Sequence, residues 1–359
     1  MLRSITCLAA VAATVSATAV DLTKRASPLA VSLTSVSDTK VKIAVTNTGS
    51  EDYNLFYKGT FLDSDSPADK LVVSSAAAVA PFNGVFQRMA THELSADVFK
   101  PLLAGQTLEE EVEIAELYEL GADGEYSVAA IGAMPYAPLN STSLSGKALP
   151  FSSNKLAINV EAAKAAAVPF VVDKMIAKRT TIQSDCTGSR LTAVRTGLSN
   201  CARLATAAAT AASSGNAAKF SEYFKTTSST TRNTVAARLR AVATDCSTSS
   251  TRTKTYCTDV YGGCSSNVLA YTVPSLNIIA YCPIFFSYLP ALSGQCHAQD
   301  QATTILHEET HAPAVYSPGT NDNGYGYAAA TSLSTSGAVN NADSYALYAN
   351  GQPTQVSND

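Results

Sequence analysis

His307-Glu308-Glu309-Thr310-His311 sets two imidazoles four residues apart, and on an α-helix residues i and i+4 share a face. Both rings can then grip one metal ion from the same side, with Glu308 flanking the open coordination position. This HExxH spacing is that of a helix that binds Zn2+ and uses the glutamate as general base. Only four histidines occur in the chain, so the pair does not come from a His-rich composition. A hydrolytic zinc site needs three protein ligands, and HExxH supplies two. No histidine follows His311, which leaves the carboxylates Asp322, Asp343 and Asp359 as downstream candidates for the third. Asp322 lies in Gly319-Thr320-Asn321-Asp322-Asn323-Gly324-Tyr325-Gly326, where the glycines allow a tight loop that can carry a short carboxylate under the metal, with Tyr325 three residues on.

Several elements must position these groups. Gln301 to Ala312 reads as the helix that carries the motif, ended by Pro313. Val268-Leu269-Ala270-Tyr271-Thr272-Val273 and Ile278-Ile279-Ala280-Tyr281 read as strands around Pro274-Ser275. Upstream, residues 188 to 213 carry Leu191, Val194, Leu198, Ala202 and Leu204 among many alanines, an amphipathic helix. Ala217 to Phe224 and Thr230 to Ala243 give two more, the last with Arg232, Arg238 and Arg240 on solvated faces. Residues 26 to about 160 alternate in the manner of strands, as in Lys40-Val41-Lys42-Ile43-Ala44-Val45, with turns at Asn47-Thr48-Gly49-Ser50 and Asp123-Gly124. They predict a mainly β unit, a small sandwich, interrupted by one helix near Leu108 to Leu120.

The chain ends carry processing signals. Met1-Leu2-Arg3, an apolar run from Ile5 to Val15 and Ala17-Thr18-Ala19 have the order of a secretory leader, residues 1–19, and no later segment is long enough to span a bilayer. The expected product is secreted, extracellular and free of any membrane anchor. Of the eight cysteines, Cys7 lies in the leader and the rest fall between Cys186 and Cys296, which suits an oxidising compartment and leaves an odd thiol. An Ala-rich stretch from Ala162 ends in Lys178-Arg179, just before the cysteines begin. A cut there divides the chain into a propeptide, residues 20–179, and a mature domain, residues 180–359. The propeptide has no cysteine, so latency through a thiolate on the metal is excluded and steric cover is left. Asn140-Ser141-Thr142 is an N-glycosylation acceptor, consistent with secretion. A net charge of -4 argues against nucleic acid as a partner. No Lys or Arg follows Lys254, whereas Asp259, Asp300, Glu308, Glu309, Asp322, Asp343 and Asp359 do, an acidic balance that attracts cationic ligands.

HExxH followed by GTxDxxYG resembles the deuterolysin family, the fungal neutral protease II enzymes among the aspzincin metalloendopeptidases. The likeness runs through Ala241-Val242-Ala243, Asn267 to Thr272, Cys296 to Gln301 and Asn341 to Tyr348. It implies an α+β fold, a mainly helical zincin-like catalytic domain with a small β-sheet behind a mainly β propeptide domain. It implies one Zn2+ on His307, His311 and Asp322, with Glu308 as general base. Tyr325 matches the motif as a phenol for the oxyanion, or is a loop tyrosine that only packs. Asp343 can orient a ligand histidine or Tyr325, or compete with Asp322 for the metal. His297 reads as a structural imidazole. The resemblance pairs Cys186 with Cys257 and Cys264 with Cys282, and Cys201 with Cys246 can form a third bridge.

The implied partners are protein or peptide substrates, basic by preference, and the chain's own propeptide, around a monomer. The chain departs from the family in three places. A terminal cysteine that would pair Cys296 is missing, Phe285-Phe286 stands where tyrosines are usual, and Glu309 replaces an aromatic and is expected to point away from the metal with an effect on packing alone. These departures keep a second reading open, a catalytically impaired secreted zinc-binding homologue serving as a binding or structural module. In a third, the β-rich region remains attached as an adhesion domain.

Overall fold

Alternation of apolar and polar residues dictates the first strands. In the computed structural model, which describes residues 27–172, 185–247 and 252–352, β1 (Leu29–Ser35) and β2 (Lys40–Asn47) pair antiparallel, with every second side chain buried. β7 (Thr107–Glu113) closes this sheet on the other side of β2. The helix expected near Leu108 to Leu120 is therefore a strand followed by a single 3-10 turn at Ile114–Glu116. Glutamates favour helix locally, but here Glu109 and Glu111 reach Lys42 and Lys40 across the sheet at 2.7 and 3.7 Å while Val112 is buried, so pairing decides the outcome.

Instead of one sandwich, the N-terminal part has three sheets on a shared core. The second runs β10-β9-β3-β6, from β3 (Tyr53–Phe56), β6 (Phe99–Leu102), β9 (Ile131–Ala137) and β10 (Ala148–Ser152). The third runs β11-β8-β4, from β4 (Val72–Ser75), β8 (Gly124–Ala129) and β11 (Leu156–Val160). Ile43, Val45, Leu55, Val73, Val128 and Met134 meet in the middle. The strand omitted from these sheets, β5 (Phe86–Met89), belongs to a fourth sheet, β12-β14-β13-β5, with β12 (Lys254–Tyr256), β13 (Val268–Val273) and β14 (Ile278–Tyr281) of the C-terminal part. Asn140 is exposed in a turn at a φ of 65°.

Helices fill the rest. After the short α1 (Ala162–Ala165) come α2 (Gly188–Ser214), α3 (Ala217–Phe224) and α4 (Ser229–Ser247), close to the positions expected. Gly197 lets α2 approach the metal-motif helix, since a Cβ there would lie 2.6 Å from Ile305 Cδ1. Arg238 is not solvated as expected. It is buried and donates to the carbonyls of Thr310, at the end of that helix, and Pro318, in the loop after it, at 3.2 and 2.9 Å. The chain continues through α5 (Pro283–Ser287), α6 (Gln301–His311), α7 (Gly326–Ala330), α8 (Thr335–Val339) and α9 (Ala342–Asn350).

Disulfides join Cys186 to Cys257, Cys201 to Cys246 and Cys264 to Cys282, while Cys296 is free and exposed. The expected leader, residues 1–19, Lys178-Arg179 and Asp359 lie outside the described residues. Among the described residues no helix is long and apolar enough to cross a membrane.

Candidate metal centre

Helix α6 starts at a capping box: Asp300 accepts from the Thr303 amide at 2.7 Å, and the Thr303 hydroxyl accepts from the Asp300 amide at 3.2 Å. All of its residues are buried, so the histidines face other protein groups and not water. His307 Nε2 and His311 Nε2 converge to 3.1 Å. Asp322 joins them from the glycine loop, 3.2 Å from His307 Nε2 through Oδ1 and 3.5 Å from His311 Nε2 through Oδ2.

Close packing shapes that loop. Gly319 passes so near the His311 carbonyl that a Cβ would lie 2.1 Å from it, and the Thr320 amide donates to the Thr310 carbonyl at 3.0 Å. Asn341 holds the other side: its Oδ1 accepts from the Asn323 amide at 2.9 Å and its Nδ2 donates to Gly324 at 3.3 Å.

These three side chains fit a metal ion. Tetrahedral zinc with bonds of about 2.0–2.1 Å places its ligand atoms about 3.3–3.4 Å apart, and the separations of 3.1, 3.2 and 3.5 Å, with each histidine taken to its own Asp322 oxygen, bracket that value. Asp322 Oδ1 is buried and lacks a hydrogen-bond partner, an orphaned charge that a cation would satisfy. The far edges of the rings are fixed for the same purpose. His307 Nδ1–H donates to Asp343 Oδ1 and His311 Nδ1–H to the Thr320 carbonyl, each at 2.8 Å, which leaves both Nε2 lone pairs facing Asp322. Burial and the Arg88 guanidinium push His307 down to about 3, so its ring is neutral. Burial raises the Asp322 carboxyl, but His311 and His307 outweigh it and hold the group well below the usual range.

Of the other candidates, Glu308 lies beside the three donors. Thr272 Oγ1 donates to its Oε2 at 2.6 Å, while Oε1 is buried without a partner. Burial pushes its pKa up to about 8. Tyr325 is buried, with its phenol toward Asp322 and its pKa raised well above the usual value by burial. Asp343 stands behind His307, outside the His307, His311 and Asp322 group. His297 is elsewhere, bonded to Tyr223 Oη at 2.8 Å and stacked on Tyr327. Phe285 is buried against Tyr281 with ring centroids 4.3 Å apart, and Phe286 packs beside it under Arg190.

Glu309 corrects an expectation. It does turn away from the metal group, but it is fully buried, accepts from the Thr253 hydroxyl at 3.2 Å and shares its surroundings with Asp245. Burial, then Asp245, drive its pKa far up, so it is a neutral partner in an acid pair and more than a packing residue. The acidic surplus after Lys254 is likewise internal for the most part, with Asp300, Glu308, Glu309 and Asp343 all buried.

Five residues at the centre were not anticipated. Thr272 and Thr320 reach it from a strand and a loop, and Phe86, Gln87 and Arg88 from the N-terminal part. Arg88 lies against Asp343, with its Nη1 2.9 Å from His307 Nδ1. Beside it Phe86 stacks on the His311 ring, centroids 4.4 Å apart at 12°, and the Gln87 amide donates to Asp322 Oδ2 at 3.2 Å.

Comparison with known proteins points the same way. The model of the deuterolysin metalloprotease (M35) family matches residues 2–357. A neutral protease 2 homolog of Phaeosphaeria nodorum is 56% identical over 345 residues, 96% of each chain. One of Aspergillus oryzae is 51% identical over 344 residues, again 96% of each. Among solved structures, a zinc peptidase from Grifola frondosa aligns with 47% of this chain and 99% of its own at 23% identity and a TM-score of 0.39.

Proposed function

Because this chain belongs to the deuterolysin metalloprotease (M35) family, a family of zinc metalloendopeptidases, we propose that it is made as a secreted zymogen whose zinc is held by His307, His311 and Asp322. The observation that carries this is the convergence of three side chains, with the two Nε2 atoms 3.1 Å apart and each within 3.2 or 3.5 Å of an Asp322 oxygen, beside the free Oε1 of Glu308. Bound there, zinc supplies Lewis acidity, polarising a carbonyl oxygen and bringing the pKa of a water toward neutrality.

The chain's own groups do the rest. Glu308 takes the proton of the attacking water through Oε1 while Thr272 holds Oε2, and then passes it to the leaving amine. Tyr325 keeps its proton at neutral pH and is the phenol available to donate to the oxyanion. Asp343 fixes the tautomer of His307.

The preference for basic proteins is supported by Arg88, whose guanidinium lies against Asp343 beside the metal group. The leader, residues 1–19, and a cut after Lys178-Arg179 complete the proposal: residues 20–179 serve as propeptide and 180–359 as mature enzyme, active as a monomer in the extracellular space. The test is cleavage of a protamine-like substrate by protein cut at that pair and stripped of its N-terminal part. Activity abolished by a chelator, restored by zinc and reduced by Glu308→Gln by about 10²–10⁴ supports the reading. Chelator-insensitive cleavage, or none from folded, zinc-loaded protein, sinks it.

A further inference from the structure

Strand β5 differs from the other strands of the N-terminal part because all its side chains are buried although two, Gln87 and Arg88, are polar. Ser66 of the N-terminal part donates to Gln87 Oε1 at 2.9 Å, but the other partners of the two side chains lie in the C-terminal part. β5 adds antiparallel to β13 with Phe86, Gln87, Arg88 and Met89 opposite Thr272, Tyr271, Ala270 and Val268, and a bulge at Leu269. Thr272 is also the residue that holds Glu308. The added strand therefore lies on the same edge as the base, with its Gln87 amide on Asp322, its Phe86 ring flat on His311 and Arg88 against Asp343. Gln87 Nε2 further donates to the Gly263 carbonyl at 2.9 Å. An incoming peptide has no access to the metal group while these contacts stand.

The strand is fastened at both ends. The Val85 amide donates to Pro67 at 3.0 Å within the N-terminal part. The Ala90 amide donates to Asn267 at 2.7 Å, and Gln299 Nε2 donates to the Met89 carbonyl at 2.8 Å, both in the C-terminal part. Val85, Met89, Ala90, Leu94, Val98 and Phe99 are buried in the core formed by α2, α4, α6 and β13, not in the core of the N-terminal sheets. None of these contacts involves the stretch between residues 172 and 185 that connects the two parts.

We propose that Phe86–Met89 is an internal strand-addition inhibitor that keeps the centre latent through its own contacts, so that a chain cut in the connecting stretch stays associated and inactive until this strand is withdrawn. The inference rests on the peptidase reading above. Activation then has two steps: the cut at Lys178-Arg179 only licenses it, and dissociation or destruction of the N-terminal part completes it.

The test uses the full, zinc-supplemented chain with a site for a specific protease in place of Lys178-Arg179. After cutting, the two parts are expected to co-elute in gel filtration, and the Gln87 and Ala90 amides to stay protected from hydrogen exchange. Activity on a protamine-like substrate should lie about 100-fold or more below that of the same sample after further proteolysis of the N-terminal part, as when about 1% of the complex is open. Gln87→Pro, which removes the amide and breaks the pairing, should raise the activity of the cut complex about tenfold or more, as should Arg88→Ala, which leaves the backbone intact. Full activity on cutting, with the parts together or apart, overturns the proposal, and so does unchanged activity in both variants. A stripped, zinc-loaded protein without activity counts against the peptidase reading instead. In that case Ala90 protection that survives cutting still supports occupation of the cleft, and its loss on cutting overturns it.

Discussion

Strands β2 and β5 both belong to the N-terminal part, yet they treat charge in opposite ways. β2 alternates, burying Val41, Ile43 and Val45 while Lys40 and Lys42 meet glutamates at the surface. β5 buries everything, including a glutamine and an arginine, because the Gln87 side-chain amide and the Arg88 guanidinium both reach groups of the C-terminal part, while Gln87 Oε1 accepts from Ser66. A strand with one wet face stabilises the unit it belongs to. A strand with none is evidence of a second surface, and the identity of its buried polar residues indicates what that surface offers.

The contrast can be tested by removing charges on both sides of it. The largest effect is expected at Arg238, buried like Arg88 and the donor to one carbonyl at the end of α6 and one in the loop that follows it. Arg238→Met removes the Arg238 donor from the Pro318 carbonyl and one of two donors from the Thr310 carbonyl, which keeps the Thr320 amide, and should lower the unfolding free energy by about 1–3 kcal/mol, measured by denaturant titration of the intact chain. A loss below about 0.5 kcal/mol would show that buried charge in this part carries no more weight than surface charge.

Next comes Asp343→Asn, which no longer accepts the His307 proton as a carboxylate and should reduce zinc affinity or turnover of the stripped enzyme about 10–100-fold. Wild-type values in both assays would leave Asp343 without a role at the ligand.

A smaller effect is expected at His297, whose pKa burial holds below the usual imidazole value of 6.5. A depressed folded pKa means that the neutral ring contributes fully above pH 6.5 and that this contribution is lost as pH falls through the folded value. Melting temperature should therefore fall more steeply between about pH 7 and 5 in the parent than in His297→Gln, and parallel curves would refute the assignment. The smallest effect is expected on β2. Lys42 and Glu109, 2.7 Å apart but well exposed, should couple by no more than about 0.2–1 kcal/mol in a double-mutant cycle, and less at high salt.

Legibility in the sequence follows the distance over which each decision is made. His307, Glu308, His311 and Asp322 lie within one short stretch, where helical spacing singled out the first three and a glycine-bracketed loop made Asp322 one of three candidate carboxylates, chosen by the family resemblance. Helices α2 to α4 announced themselves through their period. Thr272 meets Glu308 across 36 residues and Arg88 meets His307 across 219, and neither carries a local signal because strand pairing brings it there. β7 was misread for a related reason, since its glutamates favour a helix until the lysines of β2 are set beside them. Arg238 and Glu309 sit on helices whose pattern places them outward, and only the packing of a neighbouring element makes those faces interior.

The account depends on the three donors that meet beneath α6, and metal content tests them most directly. Zinc per chain, measured with intact mass on purified protein after exhaustive dialysis, should be one for the parent and for Glu308→Gln, and far below one for His311→Ala and Asp322→Ala. A folded parent without zinc, or variants lacking His311 or Asp322 that retain a full equivalent, would contradict it.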